Sequence, residues 1–527
     1  MNNKISPVAA GLIGLVLGFC VQSGYADEAD VIGHFEVTRY IAQGNTLLDP
    51  NDIDRLLLPF TGKDKDFASV EMALETLEAA YRAKGFDLVR VVLLEQKLNH
   101  GIVTLQVYET RIGKISVTGN KFFSAANIRA SLPALKEGET PLMADVSANL
   151  KLANENPSKK TTVQLRTADQ DGVADAILQV VDQKSWSAAL GVDDTGDNVT
   201  GRNRLNFLYQ NTNIGGWDHI LSMQYITSAA HPNDVSIYGI GYHIPLYALT
   251  DSLDFYGSYS NVNSGTVTAG FFDLAVSGSG TVAGTRYNHN MLKVGNYDST
   301  LSFGIDYKIF NNDVAIAGLP VGGHVVVHPA TLTYAGNWAV TGTSANFWLS
   351  LIRNIPGGNN SSEADFTSAR TDATPDFTLL RLGGTYLKAL PSDWQVRFNL
   401  VGQVTSDALV PGEQFGMGGA SSVRGFTERE YANDKGYSTN LEAYTPNLCK
   451  GDSQCRILGF YDSGHVARND PLPGELQHES IGSVGAGLRY TLSNYLQTQV
   501  DVAHVVETPV NAEKGSNRID FKVVYTF

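Results

Sequence analysis

The sequence from Ser185 to Phe527 alternates apolar and polar residues with a period of two, and this pattern restricts the fold more than any other feature. Leu301, Phe303 and Ile305, for example, are separated by single polar or small residues. Successive side chains of a β-strand point to opposite faces, so each such segment has one apolar and one polar face. Many of these segments are about ten residues long, which matches a tilted membrane-crossing strand better than a typical soluble strand.

The composition agrees with a membrane barrel. Only 18% of the residues are charged and 52 of the 527 are glycine, whereas roughly 25% charged residues is usual for soluble domains. The alternating runs and turn clusters predict about 16 antiparallel strands, with an apolar face toward lipid and a polar face toward a lumen. A soluble sandwich is the alternative. The net charge of −15 argues against a dedicated nucleic-acid-binding protein, because such proteins present a basic surface to phosphates.

The connections between the predicted strands differ in length. The turn at 213–216 is short, whereas the segments 356–376 and 411–437 are long. Short periplasmic turns and long outer loops are typical of outer-membrane barrels. Tyr247 lies at a strand end, where the aromatic band of the membrane interface is expected, although a single aromatic residue there is equally compatible with ordinary packing.

The N-terminus predicts export. Lys4 supplies a positive charge, residues 8–21 are apolar, and small residues lead up to Ala26. This order is typical of a secretory signal peptide at residues 1–26, cleaved after Ala26. Acylation of Cys20 as in a lipoprotein is one alternative, but the bulky residue directly before this cysteine fits such a site poorly. A retained membrane anchor is another, but the apolar run is short for a span.

Cys449 and Cys455 are the two cysteines of the predicted mature chain. They lie at a turn between two predicted strands, on the side we expect to face the periplasm. Exported compartments permit disulfides, and a bridge closing so short a loop would stabilise the fold by about 2 kcal/mol. Two free thiols are the alternative.

Two smaller segments, 27–110 and 111–184, precede the barrel at 185–527, and each has the order β-α-α-β-β. The predicted elements of the first are a strand at 34–40, helices from Asp49 and Ser69, and strands at 87–94 and 102–109. Those of the second are a strand at 112–118, a helix capped by Ser124, a helix at 143–152, and strands at 162–166 and 174–181. On this order alone, two unrelated α/β domains are an equally good reading.

Two short motifs in the barrel part narrow the interpretation. They are Val423, Arg424, Gly425 and Phe426 in the long segment, and Phe460, Asp462 and Gly464 in a later strand. Together they resemble the VRG(F/Y) and FxDxG motifs of the POTRA–barrel superfamily, whose N-terminal modules are polypeptide-transport-associated domains. With two such modules, about 16 strands and the segment 156–160, nearly the whole mature chain resembles the TpsB family, the two-partner secretion transporters of the hemolysin secretion/activation type.

This resemblance implies an α+β pair of POTRA-like modules in the periplasm, followed by a β-barrel in the bacterial outer membrane. The implied function is translocation of a large partner exoprotein to the cell surface, with the modules capturing the unfolded substrate. The implied partners are a TpsA-like secreted protein, outer-membrane lipid and the barrel assembly machinery. It further implies that Arg424 and Asp462 touch, and that the loop carrying Arg424 is needed for transport.

The residues themselves are compatible with that contact. If Tyr461 faces lipid, Asp462 has the opposite parity and faces the lumen. The planar guanidinium of Arg424 can engage a carboxylate in two parallel hydrogen bonds. Gly425 permits a tight loop tip, and Gly464 removes a side chain where the loop would approach the wall. The alternative is a solvated surface arginine and an ordinary lumenal acid.

The last strand alternates Phe521, Val523 and Tyr525 with polar residues and ends in Phe527. A terminal strand of this kind looks like the signal by which outer-membrane barrels are recognised for insertion, and we assign that role to Phe521, Tyr525 and Phe527. Any amphipathic strand could end in the same way, so the pattern alone is a modest indication.

Two other functions are compatible with parts of this pattern. A barrel insertase shares both motifs but usually has more POTRA modules, and a passive porin would need no such modules. The sequence contains no Gly-x-Ser-x-Gly, His-Glu-x-x-His or Gly-x-x-x-x-Gly-Lys motif. We therefore expect no enzyme activity, no catalytic residue, no metal site and no cofactor.

Overall fold

The computed structural model describes residues 33–198, 200–262, 265–269, 272–276, 279–311, 315–316, 319–320, 324–509 and 514–527. The signal peptide predicted at 1–26 lies outside the described residues. One compact unit contains residues 33–83 and 89–109, and a second contains residues 84–88 and 110–527.

The first unit is a small α/β module. Its elements are β1 (Phe35–Val37), β2 (Arg39–Gln43), α1 (Pro50–Leu57), β3 (Gly62–Lys65), α2 (Phe67–Ala83), β4 (Val89–Leu93) and β5 (Ile102–Glu109). Strand β5 lies between β2 and β4, parallel to β2 and antiparallel to β4. Asp49 caps α1 as predicted. Helix α2 begins two residues before Ser69, because the Asp66 carboxylate accepts the Ser69 backbone N–H at 2.8 Å.

A second module with the same order opens the second unit. Its elements are β6 (Arg111–Thr118), α3 (Ala125–Ala130), α4 (Met143–Ala153), β7 (Lys159–Thr167) and β8 (Val173–Asp182). Strand β8 is central, parallel to β6 and antiparallel to β7. The Ser124 hydroxyl caps α3 by accepting the Asn127 N–H at 3.1 Å. Phe123, Ile128 and Leu178 belong to the buried core of this module.

The remaining elements form the barrel and its connections. They are β9 (Trp186–Asp193), β10 (Arg204–Ile214), β11 (His219–Ser228), β12 (Ile237–Leu246), β13 (Asp251–Ser260), β14 (Gly265–Ala269), β15 (Phe272–Val276), β16 (Gly280–Asn290), β17 (Tyr297–Asn311), β18 (Ala315–Ile316), β19 (Leu319–Pro320), β20 (His324–Val327), β21 (Pro329–Val340), β22 (Thr343–Asn354), α5 (Glu363–Ala369), β23 (Thr378–Ala389), β24 (Gln395–Val404), β25 (Phe415–Met417), β26 (Tyr431–Asn433), β27 (Lys435–Tyr444), β28 (Ser453–Ala467), β29 (His478–Leu492), β30 (Leu496–Glu507) and β31 (Asn517–Thr526). The hairpins β14–β15, β18–β19 and β25–β26 lie in connections, outside the barrel sheet.

The described strands close into an antiparallel barrel of 16 strands, in which β20 and β21 both pair with β17 and count as one interrupted strand. Strands β31 and β9 close the sheet over five residue pairs, from Lys522 opposite Asp193 to Thr526 opposite Ala189. Within the described residues, each helix is too short or too polar to cross a bilayer.

The period of two separates the two faces of the wall. Phe303, Ile305 and Tyr307 of β17 are about half exposed on the outer surface, whereas Asp306 between them is buried inside. We call the end of the barrel whose turns contact the second module the inner end, and the opposite end the outer end. Tyr247, expected in the aromatic band, lies at the inner end, where its hydroxyl donates to Asp218 at 2.6 Å.

Two connections at the outer end are important below. The long loop is the segment 405–434 between β24 and β27, rather than the predicted 411–437, because β27 already begins at Lys435. It folds back on itself as the hairpin β25–β26. The helical loop is the segment 355–377 between β22 and β23, and it contains α5.

At the inner end, Cys449 in the turn between β27 and β28 forms a disulfide with Cys455, the third residue of β28. The Asn447 side chain accepts the backbone N–H groups of both cysteines, at 3.2 and 2.9 Å. The guanidinium of Arg456 bonds both carboxylate oxygens of Asp393 in the neighbouring turn at 2.9 Å. These bonds, with the Asn447 N–H, hold the pKa of Asp393 below its usual value. The two turns are therefore tied together.

We predict that replacing both cysteines by serine leaves the barrel folded, since hydrogen bonds and the Asp393–Arg456 pair also hold the turn. The free energy of unfolding should fall by about 2 kcal/mol, the entropy contribution of so short a loop. Urea titration, followed by the gel shift between folded and unfolded barrel, measures this change. Alkylation and mass spectrometry check the bridge. Modification of both wild-type thiols without reductant would contradict it.

Candidate functional site

The long loop folds into the barrel instead of projecting from it. An apolar cluster joins the loop to the inside of the wall, and its buried members are Phe415, Met417, Val423 and Phe426 of the loop with Val466, Ile481 and Val505 of the wall. An unanchored loop in a polar lumen would remain hydrated. These apolar contacts instead hold the loop tip at one position along the barrel axis.

Arg424 stands at that tip and meets Asp462 of β28. Its Nε donates to Asp462 Oδ2 at 2.6 Å, and its Nη2 donates to Oδ1 at 2.7 Å. The backbone N–H of Arg424 also donates to Oδ2, at 3.2 Å. The side chains are 3% and 0% exposed, so the pair is buried between loop and wall. Charge-assisted bonds in this two-pronged geometry are among the strongest hydrogen bonds in proteins.

The guanidinium has more partners than the sequence indicated. Its Nη1 lies 3.0 Å from Glu442 Oε1 of β27 and 3.6 Å from Asp501 Oδ1 of β30. Its plane lies over the ring of Phe460, 3.5 Å from the ring centroid. The parity of β27 and β30 places Glu442 and Asp501 in the lumen. Parity does not give the position of a residue along the barrel axis, so the sequence did not connect these two acids with Arg424.

The carboxylates around Arg424 have other cationic neighbours as well. Arg489 bonds both oxygens of Asp501, at 2.8 and 2.9 Å, and Arg397 lies 3.7 Å from Glu442. Three guanidinium groups therefore face three carboxylates, and the cluster is close to electroneutral. Removing any one member leaves a net charge in a poorly hydrated place.

Both motif glycines lie at close approaches. Gly425 has a φ of +96°, which favours glycine, and a Cβ there would lie 3.1 Å from Val505 Cγ2. A Cβ on Gly464 would lie 2.8 Å from Met417 Sδ and 3.1 Å from Val423 Cγ2. A side chain at Gly464 would push the hairpin of the loop away from the wall.

Glu413, which the sequence analysis did not single out, anchors the first half of the long loop. Its carboxylate is 0% exposed and lies 2.7 Å from Lys308 Nζ and 3.0 Å from Arg381 Nη2. The side-chain amide of Gln403 donates to its backbone carbonyl at 3.0 Å. The cations come from β17 and β23, so this anchor reaches a different part of the wall from the Arg424 cluster.

Asp434 anchors the other end of the long loop. Its carboxylate accepts the guanidinium of Arg370, which follows α5, and the backbone N–H groups of Leu409 and Asn469 at 2.9 and 2.7 Å. Asp434 is fully buried. One carboxylate thus connects the helical loop, both ends of the long loop and the connection after β28.

The helical loop and the long loop share an apolar core with the wall at the outer end. Phe366 of α5 and Leu409 of the long loop are fully buried there. The other buried members are Phe310, Val325, Val327, Ile352, Phe377, Leu379, Val410 and Ala373. This core therefore fixes both loops to the wall at the outer end, beyond the charged cluster around Arg424.

The predicted insertion signal lies at the closure of the barrel. Tyr525 and Phe527 are exposed, with ring centroids 4.9 Å apart. The backbone N–H of Phe521 donates to Asp194 Oδ1 at 2.8 Å. These three residues are thus placed where the last strand meets the first, and their role in insertion stays a prediction.

We predict that Glu413→Gln loosens the long loop at its base, because Lys308 and Arg381 then lack their counter-charge. The barrel should still fold, since the Arg424 cluster is unchanged. In planar lipid bilayers, the reconstituted variant should show a larger mean conductance with more frequent steps than wild type. Glu363→Gln, at an exposed position in the first turn of α5, is the control for loss of a carboxylate. Equal conductance of the Glu413 variant and wild type would refute the anchoring role.

Comparison with known proteins supports this description of the chain. The Heme/hemopexin transporter protein HuxB of Haemophilus influenzae (strain ATCC 51907 / DSM 11121 / KW20 / Rd) is 21% identical over 472 residues, 88% of this chain and 81% of HuxB. The Outer membrane transporter CdiB of Dickeya dadantii (strain 3937) is 22% identical over 504 residues, 92% of this chain and 85% of CdiB. The solved structure of CdiB from Escherichia coli superposes with a TM-score of 0.75 at 18% identity, covering 96% of this chain and 93% of that chain.

These findings confirm the predicted fold, POTRA-like modules followed by an outer-membrane barrel of 16 strands with the modules in the periplasm. Residues 35–110 match the POTRA domain, ShlB-type. Residues 172–490, more than half of the chain, match the family described as Haemolysin secretion/activation protein ShlB/FhaC/HecB. The chain therefore belongs to this family of non-enzymatic, two-partner secretion transporters of the outer membrane.

Proposed function

We propose that this transporter exports one large TpsA-like partner protein as an unfolded chain, and that the long loop is the part of the lumen that moves. The observation that carries this proposal is the cluster of Arg424 with Asp462, Glu442 and Asp501 inside the barrel. While its tip is bound at this cluster, the long loop occupies part of the lumen through which an extended polypeptide would pass.

The chemistry of the anchor suits a part that moves. The pair is buried while the loop tip is bound, but once the tip leaves the wall, water of the lumen can hydrate both charges. Release therefore costs less than release of the same pair into a dry core. Val423 and Phe426 of the loop tip share a buried cluster with Val505 of β30, so a displacement of the tip would break these contacts together with the ion pair. We propose that arrival of the substrate drives this displacement.

Capture of the substrate is assigned to the two periplasmic modules. Each sheet has three strands, β2–β5–β4 in the first and β6–β8–β7 in the second, and so has two edge strands. An extended peptide can add to such an edge through main-chain hydrogen bonds. No nucleotide-binding motif was found in the sequence, so we assign the direction of transport to folding of the partner outside the cell.

Two further partners follow from the surface of the barrel. The exposed aromatic and aliphatic side chains of the wall, such as Phe303 and Ile305, suit contact with outer-membrane lipid. The terminal strand ending in Phe527 suits recognition by the barrel assembly machinery before insertion. We propose both as partners of this chain.

The test is export of a candidate partner from a diderm host with and without this gene. The best candidate is a large, repetitive secreted protein encoded beside it. The proposal expects the partner in the medium only when the transporter is present. Equal partner in the medium of both strains would reject it. Improved assembly of unrelated barrels instead would favour a barrel insertase.

We predict that Arg424→Ala lowers the exported partner at least tenfold while the barrel still inserts. The loop loses its main charged anchor, and Asp462 is left without its counter-charge, which costs up to about 3–5 kcal/mol in a dry site and less in a wet lumen. Arg424→Lys should be intermediate, because an ammonium keeps the charge but not the two-pronged geometry. Secreted and cell-bound partner are compared by immunoblot.

Arg202→Ala, at a half-exposed loop position, is the control for loss of an arginine, and the gel shift of the folded barrel checks insertion of each variant. Wild-type levels of export by both Arg424→Ala and Asp462→Ala would contradict a role of this pair in transport.

A further inference from the structure

A second buried ion pair lies far from the long loop, where the second module contacts the barrel. Lys159, the first residue of β7, meets Asp218 in the turn between β10 and β11. The side chains are 0% and 1% exposed. The Tyr247 hydroxyl donates to the same carboxylate oxygen at 2.6 Å, and Asn127 Oδ1 accepts from the ammonium at 3.3 Å. The ammonium also lies 5.2 Å from the ring centroid of Phe123.

Three asparagines of the second module surround this pair and donate to main-chain carbonyls of the barrel. Asn127 Nδ2 donates to Gly216, Asn149 Nδ2 to Tyr247 and Asn156 Nδ2 to Thr212, each at 2.7 Å. All three asparagines are buried. Each bond reaches a fixed point of the barrel backbone, so all three can form together in one orientation of the module only.

The contact extends to a third turn of the barrel. Lys151 of α4 lies 3.2 Å from Asp298, at the start of β17. The module thus bonds three turns in succession, those that follow β10, β12 and β16. These turns lie on one side of the inner end of the barrel.

Burial of a lysine at such a contact is unfavourable by itself. Burial lowers the pKa of the Lys159 ammonium below its ordinary value, while Asp218 acts in the opposite direction. A purely apolar contact of the same area would stabilise docking without this cost, but it would allow sliding and rotation. Buried polar groups that must all be satisfied at once specify a single arrangement.

We propose that Lys159 and Asp218 are positioning residues of transport, which lock the second POTRA module onto the barrel in one orientation. The module and the barrel wall then move as one body, and the edge strands of this module keep a fixed direction relative to the lumen. The role in export rests on the proposed function, whereas the locked orientation does not.

The experiment measures docking without any substrate. Spin labels are placed on introduced cysteines at Ala144 in α4 and Thr341 in the turn after β21, both exposed and outside the contact. Distance distributions are recorded by pulsed electron paramagnetic resonance for the full chain in lipid nanodiscs. Wild type should give one narrow distribution. Lys159→Met and Asp218→Asn should each broaden it at least twofold.

Lys136→Met removes an exposed lysine of the same module and should leave the distribution narrow. Asp218→Asn keeps the shape of the side chain, so it still tests the ion pair if the Lys159 variant fails to fold. The gel shift of the barrel checks that each variant is folded. Narrow, unchanged distributions in both the Lys159 and the Asp218 variant would overturn the lock.

Export of the partner is measured on the same variants. The proposal expects at least a fivefold loss with Lys159→Met or Asp218→Asn, and no loss with Lys136→Met. Broadened distances with undiminished export would overturn the positioning role while leaving the proposed function intact. Absence of export by wild type would instead reject the proposed function, and the distances alone would then decide whether the module is locked.

Discussion

The position of the long loop inside the barrel depends on the contact between the Arg424 guanidinium and the lumenal carboxylates. A barrel of 16 strands is too wide for its own side chains to fill, and barrels of this size leave an aqueous channel. A segment that closes such a channel must bring its own contacts to the wall. Here the bonds from Arg424 to Asp462 and Glu442 lie inside an electroneutral cluster, so the loop is held without a net charge in the lumen.

The other anchors of the long loop differ in kind from the one at its tip. Glu413 and Asp434 hold its two ends to cations of the wall and of the helical loop, and an apolar core around Phe366 joins both loops to the wall at the outer end. The loop is therefore held by charged contacts at its tip and ends and by apolar contacts at the outer end.

The period of two, together with the length of the strands, predicted the barrel and its polar lumen. Parity along a strand depends on local sequence alone, so it placed Asp462 in the lumen once Tyr461 was taken to face lipid. The two motifs then connected Asp462 with Arg424. Parity does not give the position of a residue along the barrel axis. The relative position of two residues along that axis depends on the register of every strand that lies between them. Glu442, Asp501 and Glu413 could not be joined to their partners for this reason. The same holds for Tyr247 and its partner Asp218, which lies in another turn. The loop bounds were displaced because β26 and β27 follow each other almost directly.

The ion pairs Arg424–Asp462 and Lys159–Asp218 are both buried, but their surroundings differ. Arg424 bonds Asp462 beside a lumen lined by further charges, and Glu442 and Asp501 lie within 3.6 Å of the same guanidinium. Lys159 bonds Asp218 in a fully buried contact that three asparagine amides close around, where nothing is at hand to replace it. In the proposed mechanism the first contact is exchanged and the second is kept. A substrate can displace a loop effectively only when the frame that delivers the substrate does not yield with it.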